Sequence, residues 1–322
     1  MISLTLFWGL LASTIALPGG PPAGMDYLAY DVATGRLWVP AGNTGNVDVV
    51  DTTTGKLTPI GGFATAPSPR PGRPNMGPSS ATVANGVVWI GNRGDNQVCS
   101  FDAKSLAKQT CVHLASMPDG LAYVATTREV WVTTPRDHTL TIIDVAGKAP
   151  KVVASLKVDG APEGYAVDAA RGLFYTNLED KDVTLTVDVK QRAVTKTWPT
   201  TCGGDGPRGL SLDAANGHLF VACTDGAVTL DLAHDGKAVG RLKTGGGVDN
   251  IDFLAGKQLL FVASPRDGTL TIAHVTKTGA LGVQSASPTA KGARNAVIDG
   301  KGVAYVPDSA GGTLIIVPPS WR

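Results

Sequence analysis

The sequence predicts an all-β fold, a seven-bladed β-propeller of four-stranded antiparallel blades, and three observations support this. The chain is rich in turn residues, with 40 Gly and 21 Pro among 322 residues. It has no long stretch of Leu, Glu, Lys or Ala at helical spacing. A pattern of an apolar strand, a turn and a strand with an aromatic residue occurs seven times, as in radial repeat folds. A two-sheet sandwich, the alternative architecture, does not need seven equivalent repeats.

The repeat is clearest in its second strand, which carries an aromatic residue at an aligned position. The aligned residues are Trp38, Trp89, Trp131, Phe174, Phe220, Phe261 and Tyr305. They recur at intervals of 41 to 51 residues, which fits one four-stranded blade per repeat. We expect these side chains to pack between neighbouring blades rather than to form a stacking platform for a ligand.

The seventh repeat is one strand short. It ends after its third strand, LIIV (314–317), whereas STIALPGG (13–20), ahead of the first repeat, resembles the fourth strand and exit turn of the others. We expect residues 13–20 to pair beside residues 314–317 and to close the ring, because this removes an exposed sheet edge.

The N-terminal residues 1–12, MISLTLFWGLLA, are uncharged and apolar, like the central region of a signal peptide, although no Lys or Arg precedes them. The segment is too short to span a bilayer. The predicted organisation is a signal-like segment (1–12) and a single propeller domain (13–322), in a secreted or periplasmic monomer with no membrane span. A misplaced start codon or a buried N-terminal strand are the alternatives.

The four cysteines form no CxxC pair. Cys99 and Cys111 lie on adjacent predicted strands of the second repeat, about equally far from the turn between them. Cys202 precedes the fifth repeat and Cys223 ends the second strand of that repeat. Two disulfides, Cys99 with Cys111 and Cys202 with Cys223, fit an exported protein, and four free thiols are the alternative.

The candidate site lies where the repeats meet the axis. In a four-stranded meander, the loops between blades and the loops from second to third strands emerge on one face, here called the upper face, and loops carry function. Equivalent tripeptides, from MDY (25–27) to ARN (293–295), lead into the innermost strands. Their middle residues, which symmetry places around one axis, are here called the mouth ring: Asp26, Ser79, Asp119, Glu163, Arg208, Asp249 and Arg294.

Six of the seven mouth-ring residues are charged, and three interpretations remain open. The charged six can bind a protein, a peptide or a small polar ligand. The acids Asp26, Asp119, Glu163 and Asp249 are candidates for holding a divalent cation such as calcium, although no DxDxDG loop occurs. The ring can also be a solvated set of ion pairs that supports the turns. The second-to-third strand loops add further charges to this face, including Arg93 and Glu179.

One insertion interrupts the repeat. Residues 62–77, GFATAPSPRPGRPNMG, lie between the first and second blades, and their Pro content predicts a stiff, extended segment. The segment either covers part of the channel or forms a surface loop.

Several classes of chemistry lack their sequence signal. With 28 Lys and Arg against 27 Asp and Glu, the chain has no global field that favours nucleic acid. The five histidines fall at different repeat positions and do not converge as metal ligands. The sequence has no GxSxG, HExxH or phosphate-binding Gly motif.

The repeats resemble the YVTN-type, or YncE-like, bacterial β-propeller proteins. The stretches that carry this resemblance are PEGYAVDAARGLFYTNLEDKDVTLTVD (162–188), GPRGLSLDAANGHLFVACTDGAVTLD (206–231) and DYLAYDVATGRLWVPAGNTGNVDVVDTTTGK (26–56). The resemblance implies export, a seven-bladed ring and a binding role more often than catalysis. The YVTN tetrad itself is degenerate here, for example WVPA and FYTN, so a shared ligand does not follow from it.

Two functions follow as hypotheses. The first is a non-catalytic binding or scaffold protein that uses the upper face and the central channel. The sequence indicates no cofactor for it beyond the candidate divalent cation. The second is a propeller hydrolase or lyase of the lactonase type, with a metal or an acid and base pair at the channel mouth. A quinone-dependent dehydrogenase is disfavoured, because the tryptophans fall at packing positions and the cysteines are not vicinal.

Overall fold

Seven four-stranded antiparallel sheets form a ring, so the predicted seven-bladed propeller is confirmed. The structure is a computed structural model and describes residues 12–319. The predicted signal-like segment therefore lies outside the described residues, except for Ala12. Within residues 12–319, no helix is both long and apolar enough to cross a membrane.

The strands are numbered in chain order from β1 (Ser13–Ala16). Blade 1 contains β2 (Ala29–Asp31), β3 (Arg36–Pro40), β4 (Val47–Asp51) and β5 (Leu57–Ile60). Blade 2 contains β6 (Pro78–Ala84), β7 (Val87–Asn92), β8 (Gln97–Asp102) and β9 (Lys108–His113). Blade 3 contains β10 (Leu121–Val124), β11 (Glu129–Thr134), β12 (Thr139–Asp144) and β13 (Lys151–Lys157).

Blade 4 contains β14 (Pro162–Asp168), β15 (Leu173–Leu178), β16 (Val183–Asp188) and β17 (Ala193–Pro199). Blade 5 contains β18 (Pro207–Asp213), β19 (His218–Cys223), β20 (Gly226–Asp231) and β21 (Lys237–Lys243). Blade 6 contains β22 (Ile251–Leu254), β23 (Leu259–Ser264), β24 (Thr269–Val275) and β25 (Leu281–Pro288). Blade 7 contains β26 (Val297–Ile298), β27 (Ala304–Asp308) and β28 (Thr313–Val317), with β1 as its fourth strand.

The ring closes through the N-terminal strand, as predicted. β1 pairs antiparallel with β28, with Ser13 opposite Ile316 and Ala16 opposite Thr313. Leu17, which follows β1, is buried in a cluster that joins blade 7 to blade 1. The first and last parts of the chain thus share one sheet, which removes the edge that blade 7 would otherwise expose.

Each space between neighbouring blades, here called a seam, is filled by apolar side chains from both blades. The predicted packing of the aligned aromatic residues between blades is confirmed, with one change in blade 4. Phe174 packs towards blade 3, with its ring 5.0 Å from that of Trp131. Its neighbour Tyr175 packs towards blade 5 and holds the strand position that Trp131 holds in blade 3. Consecutive aromatic residues occupy opposite faces of a strand, which explains the shift of one residue.

Both predicted disulfides form. Cys99 and Cys111 are opposite each other on β8 and β9, with Cα atoms 4.0 Å apart. Cys202 and Cys223 join the loop before blade 5 to the end of β19, with Cα atoms 5.1 Å apart. The first therefore fixes the outer strand of blade 2 to its own sheet, and the second fixes the loop before blade 5 to that blade.

The insertion after blade 1 is anchored at its base on blade 2. The Phe63 ring lies 5.6 Å from the Phe101 ring, and Ala66 pairs with Met76 in an isolated bridge. Beyond this bridge the segment is exposed, including Arg70 and Arg73.

Candidate functional site

The structure brings the charged mouth-ring residues into electrostatic contact, although they come from six different blades. Arg294 of blade 7 is the clearest link. Its Nη2 lies 3.2 Å from Asp26 Oδ1 in blade 1, and its Nη1 lies 3.0 Å from Asp249 Oδ2 in blade 6. Asp26, Asp249 and Arg294 stand just before the innermost strands of their blades, so the propeller symmetry alone aims them at one axis.

Blade 2 supplies its charge from a different loop. Its mouth-ring residue is the neutral Ser79, which is buried. Arg93, in the loop between β7 and β8, reaches the ring instead. It lies 2.7 Å from Asp26 Oδ2 and also contacts Asp119 of blade 3. Arg93 was predicted to lie on the upper face, but its place within the ring was not predicted.

Blades 4 and 5 are joined by the longest ion pair of the ring. Arg208 Nη1 lies 3.6 Å from Glu163 Oε2, which is too long for a hydrogen bond. The same Nη1 makes a close ion pair with Glu179, in the loop between β15 and β16. Arg208 therefore pairs more closely with Glu179 than with Glu163.

Acidic and basic side chains alternate around the axis, with one break. In blade order the residues are Asp26, Arg93, Asp119, Glu163, Arg208, Asp249 and Arg294. A closed ring of seven cannot alternate throughout, because seven is odd. The break falls between blades 3 and 4, where Asp119 and Glu163 follow each other with no guanidinium between them among the described residues. The Asp119 carboxylate therefore disfavours ionisation of Glu163.

Tyr27 reaches this break from the opposite side of the channel. Although it belongs to blade 1, its hydroxyl donates to Asp119 Oδ2 at 3.3 Å and accepts from the Gly164 N–H at 3.1 Å. Its ring stacks on Tyr165, with centroids 5.7 Å apart. Because Tyr27 is one residue deeper in the channel than Asp26 and is buried, it forms a floor below the mouth ring.

Sequence reasoning missed Tyr27, although a signal was present. Tyr27 is the third residue of its tripeptide, where the other six blades carry Gly, Ser or Asn. A small residue is required there because neighbouring innermost strands approach closely. Gly164 shows this, since a Cβ on it would meet the carbonyl oxygen of Arg208 and Gly164 has a φ of +67°. One large side chain at this level therefore fills the centre.

Hydrogen bonds between blades hold the mouth ring in place. The Gly209 N–H donates to the Asp249 carbonyl at 2.9 Å, and the Asp249 N–H donates to the Arg294 carbonyl at 3.2 Å. The Asn295 side chain donates to the Asp26 carbonyl at 2.8 Å. The backbone that carries the charges is thus positioned by its neighbours, which favours a preformed site.

Burial and charge give Glu163 and Asp249 unusual acidity. Burial raises the pKa of Glu163, and the carboxylates of Asp119, Asp249 and Asp26 raise it further, to about 8. Burial also raises the pKa of Asp249, to about 6, despite the opposing effect of Arg294. Glu163 is thus largely protonated at neutral pH.

The other side of the ring behaves differently. Burial raises the pKa of Asp26, but Arg93 and Arg294 more than offset this, so the net pKa of Asp26 falls. Burial and the Asp119 carboxylate raise the pKa of Tyr27 well above its usual value, so its hydroxyl stays protonated. Two guanidiniums therefore hold Asp26 as a carboxylate, whereas Glu163 is held largely in its protonated form.

The cation-site alternative was based on Asp26, Asp119, Glu163 and Asp249. In the part of the chain that the structure describes, no group of three or more His, Cys, Asp or Glu side chains is arranged to hold a metal ion. Arg93 and Arg294 contact three of the four candidate acids. These guanidiniums occupy carboxylate oxygens that a hard cation needs as ligands.

A cavity of about 290 Å³ opens on the other side of the Tyr27 floor. It lies along the innermost strands of blades 2 to 5 and has mixed polarity. Its walls include Thr82, Tyr123, Tyr165, Ser211 and Leu212. The channel therefore has two ends, a charged mouth above Tyr27 and a less polar cavity below it.

Comparison with known proteins identifies the fold but no family. Neither a protein-family model nor a curated protein sequence matches the chain. A chain of a mitotic checkpoint complex is similar over 98% of this chain and 94% of its own length, with a TM-score of 0.79 and 12% identity. A chain of Kuenenia stuttgartiensis hydrazine synthase is similar over 96% of this chain and 98% of its own length, with a TM-score of 0.78 and 12% identity. Virginiamycin B lyase from Staphylococcus aureus is similar over 95% of this chain and 98% of its own length, with a TM-score of 0.72 and 13% identity.

Proposed function

We propose that the protein is a non-catalytic binding protein that takes its ligand at the mouth ring on the upper face. The observation that carries this proposal is the convergence of charged side chains from all seven blades onto one opening that Tyr27 closes from below. A ring of ion pairs that only supported turns would not require a floor built from a single blade. Chain segments far apart in sequence thus place their charged side chains at one site above Tyr27, here called the basin.

The titratable groups of the basin are unevenly partnered. Asp26 contacts two guanidiniums, whereas Glu163 lies 3.6 Å from a guanidinium that also binds Glu179. Buried charges with incomplete partners are costly for stability and cluster at functional sites. A ligand that completes these contacts compensates that cost.

The test is a thermal-shift screen of the purified protein against small cationic, anionic and neutral polar compounds. Compounds that bind the folded state raise its Tm in a saturable manner. We expect at least one class to raise the Tm of the wild type, and the Glu163→Gln/Asp249→Asn variant to lose that response. The matched control is Asp137→Asn/Asp267→Asn, which removes two exposed acids from loops of the same face.

Two results contradict the proposal. One is that no compound class gives a saturable shift. The other is that every shift is equal in the wild type and in the mouth-ring variant, which would locate the binding elsewhere.

An enzymatic function is the second candidate, and the raised pKa of Glu163 favours it. A carboxyl group that is protonated at neutral pH can act as a general acid. Similarity to virginiamycin B lyase at 13% identity supports only a shared fold, but it suggests a first substrate to try. Incubation with virginiamycin B, with and without divalent cations, followed by mass spectrometry, is the test. Product formation that Glu163→Gln abolishes would replace the binding proposal.

Export and membership of the YVTN-type group complete the proposal. Two disulfides support a site of action outside the reducing cytosol. Fractionation of expressing cells, with thiol blocking before lysis, tests this. We expect the protein in the periplasm or the medium with all four cysteines unmodified. Recovery in the cytosol with alkylated cysteines would contradict it.

A further inference from the structure

We infer that the ligand presents one cationic group with N–H donors, a guanidinium or a primary ammonium, to the junction of Asp119 and Glu163 between blades 3 and 4. This inference rests on the proposed function and specifies its ligand. The reason is the parity of the ring. Four acids and three guanidiniums alternate around seven blades, so one acid–acid junction is unavoidable. A cation placed at that junction completes the alternation.

The protein's own groups do not fill this junction. The nearest guanidinium to Glu163 is that of Arg208, which is bound to Glu179. Asp119 is ion-paired with Arg93 on its blade 2 side, and the phenol of Tyr27 donates one hydrogen bond to it but carries no charge. The junction therefore has a hydrogen-bonded floor and, once Glu163 ionises, two neighbouring carboxylates with only Arg93 and the shared Arg208 to balance them, which is the complement of a cationic N–H group.

Two further polar atoms of the mouth ring lack hydrogen-bond partners among the described residues. Ser79 Oγ belongs to a residue that is 4% exposed, at the blade 2 position of the ring. Asp249 Oδ2, also on a residue that is 4% exposed, faces Arg294 as an ion pair without forming a hydrogen bond. Buried polar atoms of this kind are rare in folded proteins, and they are independent of the charge count. Ser79 Oγ can accept a hydrogen bond from a donor in the basin, whereas Asp249 Oδ2 already faces the Arg294 guanidinium.

The floor limits how far a ligand enters. Because Tyr27 is buried and contacts blades 3 and 4 from blade 1, it blocks the axis directly below the mouth ring. Only the end of a ligand can reach Glu163, which is itself about one-fifth exposed. A compact head group on a flexible chain fits this access better than a bulky one.

Isothermal titration of the full chain with three monovalent probes tests the inference. Butylguanidinium and butylammonium carry N–H donors, whereas tetramethylammonium has the same charge without donors. We expect the first two to bind at least tenfold more tightly than tetramethylammonium. Glu163→Gln should weaken butylguanidinium tenfold or more, and the control Asp137→Asn should leave its affinity unchanged.

Binding should also strengthen as the pH rises from 6.5 to 9, because the cation must replace the proton held by Glu163. The charged and titratable groups that face Glu163 are Asp26, Tyr27, Asp119, Arg208, Asp249 and Arg294. The Glu163→Gln variant should lose this dependence while the Asp137→Asn control keeps it.

Each outcome decides the inference. Equal affinity for tetramethylammonium and the N–H cations, or no binding of either, overturns it even if Glu163→Gln fails to fold, since that comparison uses the wild type alone. If anionic or neutral compounds bind saturably and the Glu163→Gln/Asp249→Asn variant loses that binding, the inference of a cationic ligand is wrong but the proposed binding function stands. Absence of any ligand class would end both.

A final arm separates two sources of the same group. A five-residue peptide with a central Arg, blocked at both ends, is compared with butylguanidinium. Tenfold tighter binding of the peptide supports a basic side chain of a partner polypeptide. Equal affinities support a free small molecule, and both results agree with a cationic head group at the junction.

Discussion

The seams between blades and the mouth ring come from the same repeat, yet they differ in how they tolerate the number seven. Every seam presents apolar groups to apolar groups, as where Trp131 meets Phe174. An apolar surface packs against any other apolar surface, so seams can join an odd or an even number of blades. The mouth ring instead pairs opposite charges, and a chain of opposite charges closes perfectly only on an even number.

This difference shows where the fold has freedom to specialise. The seams carry stability, because dispersion and burial depend on close packing at each of the seven positions. The mouth ring must contain a mismatch, and its location between Asp119 and Glu163 is decided by individual residues rather than by the fold. A repeat protein can therefore keep its seams uniform while the position of a single charge defect sets its binding properties.

The seams should give the largest response to mutation. Phe174→Ala removes a fully buried ring that packs against Trp131 and a cluster from two blades. We expect a loss of about 3–5 kcal/mol in the free energy of unfolding, from lost burial and the cavity left behind. Urea unfolding followed by tryptophan fluorescence measures it.

The matched control for this prediction is Val194→Ala. Val194 lies on β17 of the same blade and is 40% exposed, so we expect a change below about 0.5 kcal/mol. Equal effects of the two substitutions would show that the seam is not the main source of stability.

Tyr27, at the boundary between the two regions, should give an intermediate response. Tyr27→Phe keeps the ring that stacks on Tyr165 but leaves the Gly164 N–H without its acceptor. We expect a loss of about 1–2 kcal/mol, the usual cost of an unpaired buried donor. Tyr123→Phe is the control, because the Tyr123 hydroxyl accepts one exposed hydrogen bond, from Asn85. No difference between the two variants would mean that the floor does not depend on the Tyr27 hydroxyl.

The uniform features could be predicted from the sequence and the exceptional ones could not. Strand positions recur in every blade. Aligning the repeats therefore predicted that β1 pairs with β28 and that Cys99 and Cys111, and Cys202 and Cys223, form disulfides. Symmetry likewise placed Asp26 and Glu163 around one axis. These predictions required only that equivalent positions behave equivalently.

The failures fall where one blade departs from the repeat. In blade 4, the adjacent aromatic residues Phe174 and Tyr175 can each be aligned with Trp131. Only the face of the strand on which each side chain lies distinguishes them. Arg93 replaces Ser79 in the ring from a different loop, and Tyr27 crosses the channel to contact Gly164. Both depend on the reach and direction of a long side chain, which repeat alignment does not encode. Asp119 and Glu163 are neighbours in the repeat itself, but that theirs is the single break in the alternation depends on Arg93 and so remained hidden as well.

The mouth ring should show the smallest effect on stability, with a pH dependence of defined sign. The folded state raises the pKa of Glu163 from 4.5 to about 8, so it holds this proton more tightly than the unfolded chain does. This contribution to stability is complete below pH 4.5 and is lost as the pH rises through 8. Glu163→Gln cannot ionise and does not lose it.

The Tm of Glu163→Gln relative to the wild type should therefore rise between pH 6 and pH 9, by about 2 °C, because water and ions screen a partly exposed carboxylate. Calorimetry at both pH values measures this difference, with Asp137→Asn expected to follow the wild-type profile. A constant difference between Glu163→Gln and the wild type would mean that neither burial nor the neighbouring carboxylates raise the pKa of Glu163 in the folded state. The junction of Asp119 and Glu163 would then cost no free energy, and the mouth ring would not differ from the seams in the way argued above.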